Sequence, residues 1–187
     1  MELLIILGIV IVIVVVVIGI YNGLIGKRNR VDEAYAQIEV QLKRRWDLIP
    51  NLVSAVKGYM NFEQDVLTRF TEARAGAVAA GAQGPAASSA AENMLTGALR
   101  SLFAVVENYP DLKASQNVID FQDALEDIEN HLQMSRRYYN GAVRNLNVMV
   151  ESFPSNLVAG QFGFRKAQYF ELDDEQDRAV PQVEFGN

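Results

Sequence analysis

From Leu3 to Ile20 the chain runs for eighteen residues without a polar side chain. As a helix at 1.5 Å per residue, that run is about 27 Å long, close to the hydrocarbon thickness of a bilayer. A segment that crosses lipid alone must satisfy its backbone internally, which a helix does and a lone strand does not. The Ile and Val content favours strands, but that preference is weak beside the cost of unpaired peptide groups in lipid. Glu2 precedes the run, and Lys27, Arg28 and Arg30 follow it. A cleaved signal peptide has the reverse layout, with a basic start, a shorter apolar region and a small-residue cleavage site. The flanks therefore predict an uncleaved anchor over residues 1–22, with Tyr21 at headgroup level. The positive-inside rule puts the N-terminus outside and the rest in the cytoplasm, as a single-pass protein of the cell (inner) membrane. Gly19 and Gly23 form a small-xxx-small pair that would let two anchor helices pack closely.

Outside this block the composition is that of an ordinary soluble domain, long enough to build its own core. The net charge of −6 is unevenly spread. Residues 27–45 carry six bases and three acids, whereas residues 171–187 carry one base and six acids. A nucleic-acid binder concentrates bases on a broad face. Here the bases gather directly behind the apolar run, which points to lipid headgroups and away from nucleic acid. The absence of cysteine excludes disulfides, thiol catalysis and thiolate-bound metals.

Beyond the anchor, Val31, Tyr35, Ile38, Leu42, Trp46, Ile49, Leu52 or Val53, and Val56 recur at steps of three and four, the mark of an amphipathic helix. Pro50 removes the backbone bond to Trp46, but the rhythm continues through Tyr59, Val66, Phe70, Ala73 and Ala77. The pattern predicts one kinked helix, joined to the anchor with at most a short break near Gly23 and Gly26. Residues 81–90 read as a loop, from Gly81, Gly84 and Pro85. A second helix carries Leu95, Leu99, Leu102, Phe103 and Val106 and ends near Tyr109-Pro110. After a turn at Asp111–Ser115, a third runs from Val118 to Phe153 and stops at Pro154. Short turns between long helices predict antiparallel neighbours, hence an all-α bundle over residues 23–154. The remainder, 155–187, is an aromatic and then acidic tail. Its Phe162, Phe164, Tyr169 and Phe170 either cover the open side of the bundle or insert into a neighbouring subunit.

No catalytic or cofactor motif stands out. His131 is the only histidine and lacks the paired Glu-x-x-His pattern of a di-metal bundle, so it reads as a bundle-edge residue. Asp120, Asp123, Glu126, Asp127 and Glu129 read as a solvated helix face. Phosphate-binding loops, dinucleotide fingerprints and nucleophile elbows are missing. Lys43-Arg44-Arg45-Trp46 is a candidate interaction cluster. On a straight helix Trp46 lies about 39 Å beyond Ile20, too far for a headgroup, which favours polar packing and inter-helix salt bridges.

Several strings together resemble the LemA family: Lys43-Arg44-Arg45-Trp46-Asp47-Leu48-Ile49-Pro50-Asn51-Leu52-Val53 with Val56-Lys57-Gly58-Tyr59, Ser101 to Ala114 including Tyr109-Pro110-Asp111-Leu112-Lys113-Ala114, Arg136-Arg137-Tyr138-Tyr139-Asn140, and Phe153-Pro154-Ser155-Asn156-Leu157. The resemblance covers about Tyr21 to the C-terminus. It implies one N-terminal membrane helix, a short outside end and a cytoplasmic antiparallel helical bundle, and it implies no enzyme activity. One branch of the family belongs to the magnetosome membrane system, which points toward membrane organisation. Family members often carry His before Glu after the Gly-Tyr pair. Phe62 precedes Glu63 here, so no role tied to that histidine carries over. The combined expectation is a membrane-anchored, non-enzymatic homo-oligomeric scaffold without a cofactor. The alternative is an adaptor that recruits another membrane protein through the 43–59 face, with Arg44, Arg45 and Trp46 as contacts.

Overall fold

The computed structural model describes residues 1–57 and 64–171, and the described residues are helical with no strand. The first helix, α1, spans Glu2–Lys57 without interruption. The break considered near Gly23 and Gly26 is absent, so the boundary drawn between residues 22 and 23 falls inside one helix. Its length is about 84 Å at the standard rise. α1 is long and apolar enough to cross a membrane, and its apolar run is exposed except for Val17 and Ile20, which are partly covered by the rest of the chain. From Leu24 onward it has one buried stripe, Leu24, Val31, Ala34, Ile38, Leu42, Arg45, Ile49, Leu52 and Val56. The steps of three and four hold through Arg45, which occupies a core position of the stripe.

The helix does not continue to Ala77 as the periodicity predicts. A second helix, α2 (Gln64–Gly81), runs back along the end of the first. Arg74 reaches the backbone of Trp46, and a Cβ at Gly81 would lie 2.7 Å from the Trp46 ring. On one straight helix, residues 46 and 74 would be about 42 Å apart. The phase of an apolar stripe reports which face is buried and is blind to a reversal of direction. The connecting residues 58–63, with Tyr59, Phe62 and Glu63, lie outside the described residues.

The turn into the next helix is shorter than the predicted 81–90 loop. Helix α3 (Pro85–Val106) opens on Pro85, whose fixed φ and missing N–H suit a first helical position. Residues 85–90 are therefore helical, and Gly84, at φ +98°, makes the turn. A single helical turn, α4 (Pro110–Lys113), precedes α5 (Gln116–Glu151), and a short α6 (Ser155–Gln161) stands at the start of the predicted tail.

α1 packs mainly on α5 and α2 mainly on α3. Gly23 meets Met149, Tyr35 stacks near Tyr139, and Arg44 faces Asp127, so α5 runs opposite to α1. Two apolar cores result. The far one joins Ile49, Leu52 and Val56 to Leu67, Phe70, Leu95, Leu99, Leu102, Val118 and Phe121. The near one joins Leu24, Ile38 and Leu42 to Leu132, Tyr139, Val143, Leu146, Val158 and Phe170. Each buried Leu or Phe contributes about 1.5–3 kcal/mol relative to exposure. Trp46 touches both cores and sits at their junction.

Candidate functional site

The junction is polar at its centre. Arg45 is 2% exposed and donates from Nη1 to Glu92 Oε2 at 2.8 Å. Its Nη2 donates to Thr96 Oγ1 at 2.9 Å and lies 3.0 Å from Glu129 Oε1. The Trp46 indole N–H donates to the other oxygen of Glu92 at 2.6 Å. Glu92 is fully buried, and that burial pushes its carboxyl above the ordinary range, against the pull of Arg45 and Trp46. Three helices are thereby fastened by one guanidinium and two carboxylates, Arg45 on α1 with Glu92 on α3 and Glu129 on α5. A buried pair of this kind fixes register more than it adds net stability.

Pro50 contributes beside it. It has no N–H for the carbonyl of Trp46, four residues earlier, and Arg74 Nε donates to that oxygen at 2.9 Å. The proline therefore creates an acceptor inside α1 that α2 satisfies. The string from Arg45 to Pro50 encodes a joint between helices. Of the candidate interaction cluster, Arg45 and Trp46 turn inward and are engaged within the chain. Arg44 is exposed, 3.7 Å from Asp127, and Lys43 pairs with Asp47 at 2.9 Å. The acids on α5 divide similarly. Glu129 joins the joint and Asp127 faces Arg44, while Asp123 and Glu126 are exposed. His131 is half-exposed, its Nδ1 2.8 Å from the Asp127 carbonyl oxygen.

The second assembly lies at the other end, next to the apolar run. Phe162 and Phe164 stack edge-on against Tyr21, with ring centroids at 4.9 and 5.7 Å. The Arg28 guanidinium sits 5.7 Å from the centre of the Phe164 ring. Lys27 and Arg30 line a cleft of about 260 Å³ with Gly23, Gly26, Ala142 and Asn145. Gly23 faces Met149 of its own chain, so half of the Gly19/Gly23 pair is covered internally, whereas Gly19 meets open space. Leu3 is exposed, and Ile20 packs partly on the near core.

From Gly163 the chain returns as an extended strap along α5. Gly163 adopts φ +73°, and Phe164 N–H bonds back to the Ala159 carbonyl at 2.9 Å, the glycine-terminated end of α6. Asn147 then holds Ala167 by both backbone groups, accepting from its N–H at 2.8 Å and donating to its carbonyl at 3.0 Å. Asn140 holds Phe170 the same way, at 2.9 and 3.0 Å. Seven helical residues and three extended residues both span about 10 Å, so the two clamps match in pitch. Between them, Tyr139 Oη donates to the Gln168 carbonyl at 2.7 Å, and burial pushes this phenol up to about 12. Ser89 donates to the Glu171 carbonyl, and Phe170 is fully buried. Of the two readings of the aromatics, the strap covers its own chain through Phe164 and Phe170, while Tyr169 stays largely exposed. The acidic residues beyond Glu171 lie outside the described residues. Neither clamp is visible as a motif, because an asparagine on an amphipathic helix looks like a surface residue.

A family model for the LemA family matches residues 34–185. The chain belongs to the LemA family. Relatives include Magnetosome protein MamQ 2 of Paramagnetospirillum magneticum, 25% identical over 87% of this chain and 70% of the relative. Protein LemA of Metamycoplasma hominis is 26% identical over 91% of this chain and 77% of its own. The matched region takes in the Arg45 joint and both asparagine clamps.

Proposed function

We propose that the chain is a single-pass membrane protein whose helical bundle self-associates into a scaffold that organises the membrane, and that it works by assembly rather than by catalysis. The observation that carries this reading is the unbroken helix from the apolar run to the far core. A helix without a joint fixes the orientation of everything packed on it relative to the bilayer. Anchored copies then present the same faces side by side, which raises their effective concentration. The bases Lys27, Arg28 and Arg30, with Arg144 and Arg165 brought to the same end by the fold, sit where anionic headgroups would lie. By the positive-inside rule that end is cytoplasmic, and the membrane is the inner membrane. The kinship with a protein named for the magnetosome agrees with a membrane role.

The contact between copies runs along the α1–α5 face, where Val40, Met134 and Tyr138 are exposed around a groove of about 440 Å³. The adaptor reading is weaker, because Arg45 and Trp46 are occupied inside the chain. Since the protein has no cysteine, Met134→Cys gives a unique cross-linking site in intact membranes. Disulfide-linked dimers are expected, and a cysteine at Val40, which lines the same groove, should give them as well. Monomer alone, at every expression level, contradicts self-association through this face.

A further inference from the structure

We infer that the α5–α6 tip is a second membrane contact, an apolar wedge that sits in the bilayer interface beside α1. The inference rests on the reading that Leu3–Ile20 spans the membrane, and it adds a site which that reading does not require. α5 runs opposite to α1 with Met149 level with Gly23. Its last residue, Glu151, therefore comes level with Tyr21, and the chain beyond it reaches the final turn of the apolar run. Val17, Ile20 and Tyr21 are partly covered there, as parts of the near core to which α6 contributes Val158 and Ala159.

The opposite side of this tip faces outward. Phe153 is 80% exposed and Leu157 64%, and at the edge of this side Phe162, which stacks on Tyr21, still exposes 54%. Three large apolar side chains are thus exposed within ten residues of chain at one end of the domain, and apolar side chains gathered in one exposed place mark interaction sites. From Ser152 to Phe164 thirteen residues pass without a charge, and Arg165 and Lys166 follow at once. Lys27, Arg28 and Arg30 on α1 lie at the same end. Lys166 pairs with Glu151 at 2.7 Å, and Arg165, Lys27, Arg28 and Arg30 are the bases that lie below apolar side chains at the level of the span, the layered pattern of an element lying in the interface. A bilayer is the occupant that fits, because the tip is level with the end of the span and points along it. With the wedge in place, α1 and the α5–α6 tip hold the domain to the membrane at two points, which prevents rotation about the anchor.

The test uses full-length protein in phosphatidylcholine/phosphatidylglycerol vesicles. Single cysteines replace Leu157, Val12 or Met94, which is 70% exposed on α3 and outside the proposed contact between copies, each carrying an environment-sensitive nitrobenzoxadiazole dye. A nitroxide placed high on the lipid acyl chain is expected to cause loss of fluorescence from the label at 157, while aqueous iodide does not reach it. The label at 94 is expected to respond to iodide and not to the lipid nitroxide. The label at 12 should lose fluorescence with a nitroxide placed deep in the chain. Failure at 12 overturns the membrane-spanning reading and the wedge together. Success at 12 with a label at 157 open to iodide overturns the wedge alone. A label at 157 shielded from iodide yet untouched by the lipid nitroxide also overturns it, and assigns the tip to a protein neighbour.

Discussion

Replacing Arg74 by Met should expose how Pro50 shapes the joint. The Trp46 carbonyl has no helical donor because residue 50 is proline, and Arg74 Nε supplies the hydrogen bond at 2.9 Å. A hydrogen bond to a charged group is worth about 1.5–3 kcal/mol, so Arg74→Met should destabilise by about that amount. Pro50→Ala returns an N–H to the position from which the carbonyl is bonded in a regular helix. In that background the same Arg74→Met change should cost less than about 1 kcal/mol, leaving a coupling of about 1–2 kcal/mol between sites 50 and 74. Urea unfolding of the full-length protein in detergent measures it, read by the fluorescence of Trp46, the only tryptophan. Its indole is bonded to Glu92 and to neither mutated residue, so all four proteins carry the same probe. An Arg74→Met cost that is the same in both backgrounds, within about 0.3 kcal/mol, would refute the reasoning.

The remaining expectations concern the buried pair, the strap and its tyrosine. Glu92→Ala leaves a buried guanidinium with only the partly exposed Glu129 as counter-charge and should cost about 3–5 kcal/mol, while the Arg45→Met/Glu92→Leu double change should recover most of it. Denaturant midpoints decide, and a double mutant as unstable as Glu92→Ala speaks against a register role for the pair. Asn140→Ala and Asn147→Ala each remove two strap hydrogen bonds, about 1–3 kcal/mol. Hydrogen exchange should then rise at residues 164–171 and stay unchanged at 95–102. The phenol of Tyr139, held at about 12 by burial against an ordinary value of 10.0, keeps its proton longer in the folded state than in the unfolded one. Stability from this group is therefore full below pH 10 and declines as pH rises toward 12. Ultraviolet titration should show late-ionising tyrosine absorbance that falls in Tyr139→Phe and does not vanish, because burial also pushes the Tyr35 phenol up.

Much of this fold is written in residue spacing. The apolar run from Leu3 to Ile20, the stripe from Val31 to Val56 and the stop at Pro154 all follow from periodicity and breakers. Three features escape that reading for physical reasons. The reversal between α1 and α2 keeps the apolar phase, so the spacing carries no sign of it. Arg45 is charged, and hydropathy patterns skip it, although its place three residues after Leu42 and four before Ile49 puts it squarely in the stripe. Asn140 and Asn147 are seven apart on α5, which marks a common face, but their partners are backbone groups of a strap whose sequence carries no complementary signal. The near-membrane aromatics were legible as residues that dock. Their partner, Tyr21, required the fold to bring the two ends of the chain together.

The central claim is that the apolar run and the packed helices are one rigid unit, because α1 has no joint at Gly23 or Gly26. Electron–electron resonance between spin labels at Leu7→Cys and Ala36→Cys tests it, in bilayer discs with unlabelled protein in excess. Twenty-nine residues of continuous helix predict a single narrow distribution centred at about 44 Å. A broad distribution, or one displaced to clearly shorter distances, would show a hinge between membrane and domain and contradict the account.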